Sequence, residues 1–100
     1  MAKIEIKREY AGKSGSSCYQ ACLRTIQKTG YHLVKKRDIA SLAICQSVIQ
    51  NSPVDLSLMV PLTKPVSVIL TISGERVDEA ALKQEAERLL GILQSELGPG

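Results

Sequence analysis

The chain has no phenylalanine and no tryptophan, only three tyrosines and a single histidine. A core without large rings has to be built from Leu, Ile, Val and Ala, and the surface offers few of the stacking platforms on which nucleic-acid readers rely. Charge of one sign is scarce as well: 13 Lys and Arg stand against 10 Asp and Glu, a formal +3, and the basic residues are spread from Lys3 to Arg88 rather than massed. So small a surplus does not demand attraction to nucleic acid or to an anionic membrane, and neither is expected as a partner. No run reaches the ~18 apolar residues that span a bilayer. The stretch MAKIEIKREY alternates charge where a signal peptide carries an apolar run. Three cysteines, with no CxxC and no framework spacing, agree with a reducing compartment, so the expectation is a cytoplasmic protein.

What is present is aliphatic and periodic. One hundred residues, 44% of them hydrophobic, suit a single domain over 1–100 with a core of its own. The longest signal runs from Asp78 to Leu97, where Leu82, Ala86, Leu89, Leu90, Leu93 and Leu97 recur in steps of three and four and so share one stripe of an α-helix. Asp78 is placed to cap its start, with Glu79 at the positive end of the dipole and Lys83 one turn on. Gly98, Pro99 and Gly100 mark its end. Such a helix is about 30 Å long, enough to lie across a whole sheet. A second helix follows the Gly/Ser turn AGKSGSS over Ala11 to Ser17. Ser17 with Gln20 matches a capping box, Gly30 closes the helix, and Tyr19, Cys22, Leu23 and Ile26 form its inward stripe with Cys18 at the margin.

The remaining segments alternate with period two. Ile4, Ile6 and Tyr10 fall on one side of the first, opposite Lys3, Glu5, Lys7 and Glu9. Arg8 shares the parity of the isoleucines, and reaching past the core edge to water is the ordinary way to accommodate it. Tyr31 to Lys36 reads as a short strand running into a charged turn. Ile39 to Gln50 alternates with Ala40, Leu42, Ile44 and Val48 taken as the inward side; a turn at Asn51, Ser52 and Pro53 follows. Val54, Leu56, Leu58 and Val60 face inward on the next strand, and Val66, Val68, Leu70 and Ile72 on the last, after a Thr63–Lys64–Pro65 turn. Short turns between alternating strands imply antiparallel neighbours. The expectation is a two-layer α+β domain of order β-α-β-β-β-β-α, with an antiparallel five-stranded sheet, both helices on one face, and the long C-terminal helix across the sheet.

The opposite sheet face is the candidate contact surface. With the phases above it carries Ser41, Ala43, Cys45, Ser47 and Ile49, then Asp55, Ser57 and Met59, then Ser67, Ile69, Thr71 and Ser73, of which only Asp55 is charged. A solvated sheet face shows more Lys, Glu and Arg, whereas a covered one can be small and uncharged. The expected cover is a second copy of the chain or another protein, with Ser41, Ala43, Cys45, Ser57, Met59, Ile69 and Thr71 at the contact.

This order of elements, and the long helix at its end, resembles the small members of the helix-grip family, the Bet v 1 or START-like folds, and the related TATA-binding-protein half-domain. The resemblance is one of topology over nearly the whole chain. It implies an apolar small molecule held between the long helix and the sheet, in a pocket lined by Arg8, Tyr10, Tyr19, Leu89 and Leu93.

Other chemistry finds little footing. Gly12, Lys13 and Ser14 resemble the end of a phosphate-binding loop, yet Lys7 stands where the pattern needs glycine, so a plain turn is the expectation. Cys18 and Cys22 lie four apart on one helix side, and a zinc site would need Cys45 and His32 as well, so buried thiols and no metal are expected. No motif ties His32 to a carboxylate or serine, so no catalytic residue and no cofactor are assigned. Lys35, Lys36 and Arg37 form the best basic cluster, to which Lys7 or Arg8 could add, and a third reading makes it a weak nucleic-acid or anion binder. It reads as a charged turn.

Overall fold

The computed structural model describes residues 2–61 and 64–98. The elements are β1 (Ala2–Glu9), α1 (Gly15–Thr29), β2 (His32–Arg37), β3 (Leu42–Ile49), β4 (Ser52–Met59), β5 (Ser67–Gly74) and α2 (Glu79–Leu97). The strands form one sheet in the order β1-β5-β4-β3-β2, every pair antiparallel. β1 and β2 therefore hold opposite edges, four strand spacings or about 19 Å apart. The 15 residues of α1, about 22 Å of helix, supply the reach between them.

Both helices lie against the same side of the sheet and against each other, α2 over β1 and β5, α1 over β3 and β5. Leu82, Ala86, Leu89, Leu90 and Leu93 of α2 are sealed, as are Val68, Leu70 and Ile72 of β5 and Val54, Leu56 and Leu58 of β4, and these residues belong to one apolar cluster. Burying each of the larger aliphatic side chains stabilises the fold by about 1.5–3 kcal/mol. Arg8 leaves the core edge as expected: its guanidinium donates to Glu87 Oε2 at 2.9 Å, tying β1 to α2, with both side chains about half exposed.

Three local features differ from the sequence reading. First, the cap of α1 is Ser14, whose Oγ accepts from the Ser17 N–H at 3.0 Å, so the helix begins three residues earlier than a Ser17 cap requires. Its buried stripe is rotated accordingly. Ala21 and Thr25 turn inward, and Leu23 sits at the margin. Second, Asp78 occupies the N-cap of α2 as expected but makes no side-chain cap bond, and Gly98 closes the helix as expected, at φ 77 and ψ 171, with its N–H on Ser95 O. Pro99 and Gly100 lie outside the described residues, as does Thr63 of the expected turn before β5.

The third difference is the phase of β3. Ala43 is paired with Leu58 and Cys45 with Leu56, so Ala43 and Cys45 face the helices and are 0% exposed. The physical reason is close packing. The side of α1 above them is lined by Cys18, Ala21 and Cys22, also fully buried, and small residues on both layers let helix and strand approach. The larger Leu42 and Ile44 are thereby pushed to the other face. The hairpin after β3 turns on Gln50 (φ 53) and Asn51 (φ 61), both left-handed, as a two-residue turn matched to strand twist requires.

Candidate functional site

The strand register fixes the outer sheet face row by row. Arg37, Leu42, Met59, Ile69 and Lys7 follow one another across the five strands, and Lys35, Ile44, Ser57, Thr71 and Glu5 form the next row. A third row runs from His32 through Gln46, Asp55 and Ser73 to Lys3. The middle of the first two rows is Leu42, Met59, Ile69, Ile44, Ser57 and Thr71, all half-buried and none charged, with the edge strands supplying charge on both flanks. An apolar centre inside a charged rim is the anatomy of a protein contact surface.

Of the expected contact residues, Ser57, Met59, Ile69 and Thr71 lie in this block. Ala43 and Cys45 do not: they are core residues beneath α1, a correction that follows from the phase of β3. Ser41 also leaves the set. It sits in the β2–β3 turn at φ 49, its N–H donating to Asp38 O and its carbonyl accepting from the Val60 N–H. Leu42 and Ile44 were missed and take their place, so the face is more apolar than the sequence reading implied. The signal lay in the pairing: β4 shows clean alternation, and an eight-residue partner with no bulge must copy its phase.

The residues expected to line a ligand pocket lie in different surroundings. Leu89 and Leu93 are 1% exposed within the core cluster. Tyr19 points its hydroxyl to Asp38, donating to Oδ1 at 2.9 Å, and burial together with that bond pushes its phenol up to about 12. Tyr10 lies nearer Arg8, with its phenol raised by burial. Clefts of several hundred Å3 open at the surface. One, about 470 Å3, lies at the hairpin end of the sheet beside Gln46, Asn51, Asp55, Ser73 and Arg76. Another, about 420 Å3, lies beside the start of α1 and includes Tyr19, Lys36, Asp38 and Ser41.

Cys18, Cys22 and Cys45 are free and buried. Burial pushes Cys22 up to about 12, with the other two thiols adding to the shift, and Cys45 up to about 11. Thiols held protonated in this way are poor nucleophiles at neutral pH. His32 is on the opposite side of the sheet from Cys45, and among the described residues no group of three His, Cys, Asp or Glu is placed to hold a metal ion. The basic cluster is split by strand alternation. Lys35 and Arg37 share the outer face, while Lys36 turns to the helix side, 3.6 Å from Asp38. Lys7 and Arg8 do not join it, because β1 is at the far edge of the sheet. Lys13, weighed as an anion ligand, donates instead to the Leu97 carbonyl at 3.2 Å, at the negative end of α2.

Two polar clusters fasten the helix layer. The Tyr31 hydroxyl donates to Glu85 Oε2 at 2.9 Å, and Arg88 holds the same carboxyl below the usual carboxylate range. Glu96 accepts from Lys28 and from Arg24, the latter at 2.9 Å, which joins α1 to the end of α2 and lowers that carboxyl too. Among the described residues no helix is long and apolar enough to cross a membrane.

No protein-family model matches the chain. No curated protein matches it either. Among solved structures it is similar to TTHA0849 from Thermus thermophilus, with a TM-score of 0.38 and 11% identity over 95% of this chain and 93% of that one, a likeness too slight to bear on family or function.

Proposed function

We propose that this protein is a non-catalytic assembly module whose outer sheet face packs against a second copy of itself. The observation that supports the reading is the uncharged block of Leu42, Ile44, Ser57, Met59, Ile69 and Thr71 at the centre of the outer sheet face. Size agrees with it. Five strands of about eight residues present a face of about 24 by 26 Å, roughly 600 Å2 before side-chain relief, near the ~800 Å2 each partner contributes to a standard interface. A two-fold contact sets the same patch against itself, and a compact apolar centre with Lys35, Arg37 and Lys7 outside it keeps cations at the wet rim. Three free buried thiols fit a site of action inside the cell.

The test is Met59→Lys, a substitution at a half-buried outer-face position. Light scattering should show wild-type chains associated and the variant reduced to a smaller species with an unchanged circular dichroism spectrum. A wild-type protein that stays monomeric at high concentration contradicts the reading, as does a variant that associates as the wild type does.

A further inference from the structure

The two edges of the sheet are built differently. β2 is exposed along all six residues, breaks register between Leu33 and Lys35, and ends on three consecutive cations, Lys35, Lys36 and Arg37. A bulge and a row of like charge are the devices by which edge strands avoid pairing, and two β2 strands would set cation against cation. β1 has neither. It is paired to β5 from Ala2 to Glu9 without a register shift, contains no proline, and among the described residues is an edge strand of the sheet.

Its outward residues alternate in sign: Lys3, Glu5, Lys7, Glu9, each exposed. We propose that β1 pairs with β1 of a second copy, antiparallel, in the register that places Ile6 opposite the partner's Ile6. In that register Lys3 meets the partner's Glu9 and Glu5 meets the partner's Lys7, and symmetry repeats both, so every outward charge faces its opposite. Sliding the strands by two residues destroys the match in either direction. One shift sets Lys3 against the partner's Lys7 and Glu5 against itself; the other sets Glu5 against the partner's Glu9 and Lys7 against itself. The charge row thus selects one register and rejects its neighbours. On the helix side Ile4 and Ile6 are only half-buried, packed against the core but uncovered at the edge, and the partner's Ile6 completes their cover.

This joint makes one ten-stranded sheet from two copies, with the dyad perpendicular to it. The dyad of the face contact runs parallel to the sheet, between the two layers, so the two contacts use perpendicular two-folds, which close a tetramer where the axes intersect. The edge inference does not rest on the face reading, since it uses different residues.

Charge permutations at exposed positions test it while leaving net charge unchanged. Lys3→Glu with Glu5→Lys turns all the cross-strand pairs into like-charge pairs, so sedimentation at low salt should show the molar mass of the assembly halved and the dissociation constant raised at least tenfold. Adding Lys7→Glu and Glu9→Lys restores opposite pairs and should restore association. The double variant Lys7→Glu with Glu9→Lys should fail alone yet recover when mixed with the first double variant. Glu5→Lys with Lys7→Glu keeps every pair opposite and should associate as the wild type does. Wild-type association unaffected by Lys3→Glu with Glu5→Lys overturns the inference, as does a quadruple variant that fails to recover. Loss in Met59→Lys with no loss in the charge permutations assigns the contact to the face alone.

Discussion

Cys45→Asp and Ile44→Asp place the same side chain on adjacent residues of β3 and should differ widely in cost. Cys45 is fully buried between Leu56 and Leu33 on the neighbouring strands, and burial pushes its thiol up. An unpaired carboxyl in that position costs roughly 3–5 kcal/mol, a large share of the ~5–15 kcal/mol available to a domain of this length. Ile44 is half-buried on the outer face, and its replacement loses about 1 kcal/mol at most. With a urea dependence of about 1.5 kcal/mol per M, the unfolding midpoint should drop by ~2–3 M for Cys45→Asp and by less than ~0.7 M for Ile44→Asp. Repeating the titration at two protein concentrations separates any loss of association at Ile44, since only association depends on concentration. The reverse order of midpoints would show that β3 presents its large aliphatics to the helices, and would refute both the core and the outer face described above.

Two further predictions concern the helix start and the buried thiols. Ser14→Ala should destabilise the protein by about 1 kcal/mol through loss of the α1 cap, and Ser17→Ala by clearly less in the same thermal melts; equal losses would contradict the assignment of the cap to Ser14. Cys22 and Cys45 hold protons in the folded chain that the unfolded chain releases above the ordinary thiol range near 9. Their contribution is therefore complete below that range and is lost as pH rises toward about 11 and 12, the folded values. Stability should fall over that interval by up to ~1.4 kcal/mol per pH unit for each thiol. Urea midpoints that stay flat from neutral pH through that range would contradict their burial.

Much of the architecture was legible because burial and period coincide in the elements that dominate it. The α2 stripe from Leu82 to Leu93 and the alternation of β4 and β5 each have a single phase that hides the aliphatics, and their packing followed from it. β3 has two. Leu42, Ile44 and Val48 compete with Ala43, Cys45 and Ile49, and size alone favours the first set as core. The fold chooses the second because α1 comes close with small residues of its own, a fact of tertiary packing that no single strand records. The α1 stripe held the hint in Cys18, Ala21 and Cys22, which ask for small partners. The β1 edge is the reverse case. Its charge alternation is plain in the sequence, but its meaning depends on β1 being an edge, which only the strand order β1-β5-β4-β3-β2 reveals.

Sedimentation equilibrium of the unmodified chain over a wide concentration range bears most directly on the account. It predicts a species of at least twice the 10.9 kDa chain mass, dissociating on dilution. A mass of 10.9 kDa at every concentration would contradict it.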